Sequence, residues 1–215
     1  MAAKLITEFV GTFFLVLTIG LTVLIGTAFA PVAIAAVLIA MIYMGGHVSG
    51  AHYNPAVTLA VWMRGKLPPA EILPYMGAQV LAAVAGALCA YLVTGDVLTV
   101  APAEETSLAS FFLLELLFTF ALVLVILNVA TSVDTAGNSY FGLAIGFTVL
   151  AGAFAAGPIS GGAFNPAVAL GPILVDLFLG EGQTISGLWV YLTSTFAGGA
   201  LAALVFRVQS PADAV

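Results

Sequence analysis

Two tripeptides hold the residues best suited to do chemistry in this sequence, Asn54-Pro55-Ala56 and Asn165-Pro166-Ala167. Asn is a favoured helix N-cap and Pro is favoured at the first helical position, so Asn-Pro followed by an apolar run reads as a helix start. A helix N-terminus carries about half a positive charge and several unpaired N–H groups. Two such ends facing each other form a positive centre that repels cations and protons. Asp would also cap but adds a negative charge, and Ser offers one donor only. The Asn carbonyl can cap while its amide still presents donors to a passing molecule. A single copy reads as an ordinary N-cap; the matched pair is the specific signal.

The pair belongs to a longer repeat. Ser49 to Ala60 (SGAHYNPAVTLA) and Ser160 to Gly171 (SGGAFNPAVALG) are identical at seven of twelve positions. Upstream, Glu8 to Val16 (EFVGTFFLV) and Glu115 to Val123 (ELLFTFALV) share Glu, Thr, Phe, Leu and Val. Glu8 and Glu115 are thus equivalent carboxylates inside apolar runs, where an unpaired charge is costly and a partner is the default. No relay of titratable groups connects them, so a structural role is the expectation rather than proton transport. His47 and His52 lie by the first tripeptide, with loop bracing, pore lining and pH sensing all open to them; bracing is the expectation for His52.

The elements that must position these residues follow from composition. With 62% hydrophobic and 7% charged residues and a mean hydropathy of +1.21, the chain lies outside the mixture of a soluble domain and belongs in a bilayer. Ten Asp and Glu against four Lys and Arg leave no basic surface for nucleic acid. A single cysteine, Cys89, excludes a disulfide framework and a thiolate metal site. No nucleophile–base pair or metal cluster is evident, so neither an enzyme nor a metal or cofactor protein is expected.

Crossing a ~30 Å hydrocarbon core takes about 20 helical residues, and six runs qualify: Leu5 to Ile25, Val32 to Val48, Glu71 to Val93, Leu108 to Ala130, Ser139 to Ala156 and Gly187 to Val208. The first, after Lys4, is read as a permanent span rather than a signal peptide, since no small-residue cleavage site with a polar continuation follows it. Six spans put both termini on one side. Lys4, Arg64, Lys66 and Arg207 all fall there, opposite Asp96, Glu104, Glu105 and Glu181, which makes the termini cytoplasmic. The stretches from Asn54 to Met63 and from Asn165 to Leu177 are too apolar for loops and too short to cross. They fit re-entrant half-helices, which persist in a membrane only when buried in protein or lining a watery cavity. Each half has three spans, so the second copy enters from the opposite face. The expectation is one all-α membrane domain, 1–215, with six transmembrane helices and two re-entrant half-helices in two inverted three-span repeats, 1–93 and 108–215. A polar linker, 94–107, joins them.

With two Asn-Pro-Ala motifs at this spacing and His47-Val48-Ser49-Gly50 before the first, the chain resembles the major intrinsic protein family, the aquaporins and glycerol facilitators, over essentially its whole length. The resemblance implies a homotetramer in the lipid bilayer with one pore per subunit, passing water and small uncharged solutes in single file. Asn54 and Asn165 would orient them. The carbonyls of Gly50, Ala51, His52 and Tyr53, and of Gly161, Gly162, Ala163 and Phe164, would form an acceptor ladder, and Glu8 and Glu115 would hold the two loops through backbone N–H groups.

One departure bears on selectivity. The family usually has an Arg three positions after the second Asn; here the residue is Val168, as it is Val57 in the first copy. Counting from the motifs assigns the other constriction positions to Ile34, Ala153 and Gly162, an apolar and comparatively wide ring. Without the Arg charge and its donors, ion rejection falls to the half-helix ends, and urea, glycerol, ammonia or peroxide become possible companions of water. The stretch from Asn165 to Pro172 is similar to Arg-less tonoplast aquaporins. Two other readings stay open: an inverted-repeat secondary transporter, which would need a coupling site at Glu8 or Glu115, and a structural junction protein of low permeability.

Overall fold

The computed structural model describes residues 1–210; the last residues assigned above to the second half, 211–215, lie outside them. The described chain forms eight α-helices: α1 Ala2–Ile25, α2 Ala30–Ser49, α3 Pro55–Met63, α4 Pro69–Thr94, α5 Leu108–Thr131, α6 Phe141–Ser160, α7 Pro166–Leu179 and α8 Leu188–Gln209. Short 3-10 turns at Val133–Thr135 and Gln183–Gly187 precede α6 and α8. Six helices are long and apolar enough to cross a membrane, with mean hydropathy between 1.6 and 2.6. Only a minority of each span's residues is buried, because much of the side-chain surface faces outward to where lipid would lie.

Both halves have the same order: two long helices, a short helix starting at Asn-Pro, and a third long helix. α1 packs on α2 and α4, while α5 packs on α6 and α8; α2 meets α6 across the two halves. The short helices cross over, since α3 lies chiefly against α8 and α7 against α4. Close backbone approach makes this possible. A Cβ at Gly86 of α4 would lie 2.8 Å from the Phe13 carbonyl of α1, and one at Gly198 of α8 would collide with the Leu116 carbonyl of α5. With no hydrophobic drive between helices in lipid, small residues at contacts let dispersion and backbone packing hold the bundle.

Two expectations change. The fifth span was expected to end at Ala156, before Gly157 and Pro158, but α6 continues to Ser160. Pro158 removes only one ladder bond so near the helix end, and the final turn is held from outside by the Ser160 hydroxyl, which donates to Glu115 at 2.7 Å. The linker is likewise not a simple polar connection. Leu98 and Val100 are buried in the main core, and Ala103 N and Thr106 Oγ1 both donate to the Ile159 carbonyl, at 3.0 and 2.8 Å. The segment is strapped over the end of α6.

Candidate functional site

Each Asn-Pro dipeptide starts its helix as the residue types require. Asn54 is extended (φ −156°, ψ 121°), and its Oδ1 accepts from Ala56 N at 2.8 Å and Val57 N at 3.4 Å. Asn165 is nearly superimposable in torsion (φ −158°, ψ 117°) and accepts from Ala167 N at 2.9 Å. Pro55 and Pro166 occupy the first helical position, and Ala56 and Ala167 are fully buried beneath them. The amides cross: Asn54 Nδ2 donates to the Phe164 carbonyl at 3.0 Å, and Asn165 Nδ2 donates to the Tyr53 carbonyl at 2.9 Å. Each asparagine therefore ties down the residue preceding the other. One amide hydrogen per side chain is occupied in this way, so each Asn retains one, rather than both, for a molecule beside it.

The loops before the asparagines are held by the two buried glutamates. Glu8 accepts from the Ser49 hydroxyl (2.6 Å), His52 N (2.9 Å), Tyr53 N (2.7 Å) and Gln79 Nε2 (2.8 Å). Glu115 accepts from the Ser160 hydroxyl (2.7 Å), Ala163 N (3.1 Å) and Phe164 N (2.8 Å). All peptide bonds described are trans, and a trans peptide points its C=O opposite to its N–H. Drawing the N–H groups of 52, 53, 163 and 164 onto the carboxylates therefore turns the carbonyls of Ala51, His52, Gly162 and Ala163 away from them.

That geometry uses left-handed backbone. Gly50 (φ 88°) and Gly161 (φ 89°) take it at little cost, whereas Ala51, Tyr53 and Phe164 hold φ near 50° as non-glycine residues. Strain of about 1–3 kcal/mol per such residue persists only where surroundings over-determine it. The Tyr53 ring, fully buried, fills the space left by Gly11 and Gly45, and its hydroxyl donates to the Met41 carbonyl at 2.8 Å. Phe164 packs against Phe118 and Gly152.

One cavity of about 410 Å³ runs past both asparagines. Ala51, His52, Tyr53 and Asn54 line it from one loop, and Gly161, Gly162, Ala163, Phe164 and Asn165 from the other; Ile34, Ala153 and Val168 line it too. Gly50 does not reach its wall, and His47 is exposed on the last turn of α2, away from it. Leu15, Leu38, Leu122 and Ile145 make the remainder largely apolar.

Three sets of residues were not foreseen. Thr99, Val100 and Ala101 bring the linker into the cavity wall, and nothing in their sequence marks them. Tyr75 and Tyr191 donate to the carbonyls of Ser49 and Ser160, at 2.9 and 2.6 Å, fixing the turn at the start of each loop. Gln79 and Thr58 extend the Glu8 cluster. An uncharged but strongly polar Gln in the middle of an apolar span was the available signal.

Residues 1–206 match the family described as "Major intrinsic protein". The chain belongs to the major intrinsic protein family. Membership, with six helices long and apolar enough to cross a membrane, makes it a multi-pass membrane protein of the channel type and supports a non-enzymatic function. Aquaporin NIP1-4 of Oryza sativa subsp. japonica is 38% identical over 95% of this chain and 76% of its own length. Nodulin-26 of Glycine max is 33% identical over 98% and 79%. The aquaglyceroporin of Plasmodium falciparum has the same fold, with a TM-score of 0.85 at 23% identity, over 99% of this chain and 98% of its own. Along its length this major intrinsic protein is thus similar to plant NIP-type members, which corrects the likeness to tonoplast aquaporins. That likeness rested on the few residues from Asn165 to Pro172, too short a stretch to rank subfamilies.

Proposed function

We propose that this major intrinsic protein is a passive channel for water and small neutral solutes, with the cavity past Asn54 and Asn165 as its pore. One observation carries the reading: two half-helix N-termini, bound to each other's loops through Asn54 and Asn165, converge on one cavity whose remaining side-chain lining is largely apolar. Positive helix ends and a spare amide hydrogen on each side favour a neutral molecule with lone pairs and disfavour cations. The carbonyls of Ala51 to Tyr53 and Gly161 to Phe164 serve as acceptors along the path. Ile34, Ala153, Gly162 and Val168 form an apolar constriction that admits solutes larger than water. The names of the related chains, aquaporin and aquaglyceroporin, are in keeping with this range.

An ion-coupled transporter would need Glu8 or Glu115 to take part in coupling, yet loop donors occupy both carboxylates. The repeats 1–93 and 108–215 lie inverted in the bilayer, with both termini cytoplasmic beside Lys4, Arg64, Lys66 and Arg207. The working assembly is a homotetramer with one pore per subunit.

The test is Val168→Arg. Arg narrows the ring and adds a fixed charge, so urea and glycerol flux falls more than water flux in proteoliposomes. An added barrier of about 1.4 kcal/mol for the solute alone lowers the solute-to-water ratio tenfold. An unchanged ratio would refute the constriction assignment.

A further inference from the structure

The linker that straps the end of α6 is also a partition. Thr99 and Ala101 line the cavity past the asparagines, and both line a second cavity of about 720 Å³, whose other walls include Phe111, Asp176, Thr184 and Gly187. A single thickness of chain therefore separates the two spaces. Burial alternates along it, with Leu98 and Val100 in the core and Thr99 and Ala101 exposed, as in an extended segment packed on one face.

The partition is tied down at few points. Among the described residues, no backbone N–H or C=O of residues 97–102 makes a hydrogen bond, and a segment with so few bonds is the kind that opens locally. Leu98 and Val100 anchor one end of it. The other end is anchored on the Ile159 carbonyl, which takes Ala103 N at 3.0 Å and Thr106 Oγ1 at 2.8 Å. That carbonyl is available because its ordinary helical donor, Ala163 N, goes to Glu115 instead. In the first half the repeat puts Val48 at the position of Ile159, and its carbonyl has no such partner among the described residues. The strap is therefore one-sided.

Between the two anchors lies Ala101, pressed against the second loop. A Cβ on Gly161 would come within 2.8 Å of the Ala101 carbonyl, and the next residue, Gly162, is one of the four assigned to the constriction. We propose that the chain at Ala101 is a yielding wall of this constriction, held in place by Thr106 as a positioning residue, and that the second cavity is the space into which it retreats when a solute larger than water passes. The size limit then depends on the strap as well as on the side chains of the ring. Glycerol needs the retracted wall and water does not, so glycerol flux follows the population of the retracted state. With the wall at rest most of the time, loss of one net hydrogen bond from the strap multiplies that population about fivefold. The proposal rests on the channel reading above.

The test reads the glycerol-to-water flux ratio in the same proteoliposomes, which does not depend on how much protein has folded. Thr106→Val keeps the shape, removes the hydroxyl and should raise the ratio about fivefold. Thr106→Ser keeps the donor and should return the ratio of the parent, which a purely steric role for Thr106 would not do. A second variant acts from the other cavity. Gly187 has room for a side chain, its Cβ meeting nothing closer than Phe111 at 3.6 Å, so Gly187→Trp narrows the space behind the linker. Added to Thr106→Val, it should bring the ratio back toward that of the parent. A ratio that Thr106→Val leaves unchanged, or a double variant with a ratio as high as Thr106→Val alone, would overturn the proposal while the channel reading stands. Parent vesicles that pass water and glycerol no faster than empty ones would bring down the channel reading, and this proposal with it.

Discussion

Replacing each buried glutamate by alanine strands a different number of donors, and the difference predicts an order. Without Glu115, the N–H groups of Ala163 and Phe164 lose their acceptor, while the Ser160 hydroxyl can turn to the Ala156 carbonyl 3.2 Å away. Without Glu8, the N–H groups of His52 and Tyr53 and the Ser49 hydroxyl lose their acceptor, while the Gln79 amide keeps its bond to Thr58 at 3.0 Å. A buried donor left unpaired costs about 1–3 kcal/mol. Glu115→Ala is therefore destabilising by about 2–6 kcal/mol and Glu8→Ala by about 3–9 kcal/mol, the second worse by roughly one donor. Glu115→Gln should fall between wild type and Glu115→Ala, because its amide oxygen serves one N–H while its nitrogen faces the other. The assay is the rate of unfolding in detergent, followed by the fluorescence of Trp62 and Trp189. Each 1.4 kcal/mol lost from the native state alone speeds unfolding about tenfold. Alanine variants as long-lived as wild type, or a Glu115→Ala protein that unfolds faster than Glu8→Ala, would refute the bracing argument.

Asn165→Asp keeps the cap on Ala167 N but places a carboxylate oxygen against the Tyr53 carbonyl, where an amide now donates at 2.9 Å, and adds a negative charge between two helix N-termini. Sodium leak into proteoliposomes should rise above wild type; a leak no greater than wild type would contradict the view that this centre rejects cations. Gly86→Ala brings a Cβ to 2.8 Å from the Phe13 carbonyl and should cost about 1–3 kcal/mol, read as a lower melting temperature in detergent. Gly77→Ala, in the same helix with nothing within 4 Å, should be neutral or stabilising by up to about 1 kcal/mol. Equal effects of the two would mean that α1 and α4 are not in the close contact described.

Much of this was legible because it is written in local chemistry. Asn followed by Pro caps a helix wherever it occurs, and long apolar runs report spans, so all eight helices were foreseen to within a few residues. The equivalence of Glu8 and Glu115 was legible through the repeat. What the sequence did not disclose depends on contacts between distant positions. The crossed amide bonds link residues 110 and 112 positions apart, and the Gln79 bonds to Glu8 and Thr58 span 71 and 21. The linker was misjudged because Asp96, Glu104 and Glu105 dominate its composition, while its middle residues, Leu98 and Val100, are the ones tucked into the core. α6 outran its expected end because a tertiary bond from Ser160 to Glu115 outweighs the local breaking tendency of Gly157 and Pro158.

The claim that the cavity past Asn54 and Asn165 is an open path for neutral molecules is tested most directly by stopped-flow light scattering on proteoliposomes of the wild-type chain. An impermeant osmolyte drives shrinkage, and re-swelling is then followed in urea and in glycerol. The account predicts water efflux well above that of empty liposomes, faster re-swelling in at least one of the two solutes, and no accompanying proton leak. Shrinkage and re-swelling at the rates of empty liposomes would contradict it.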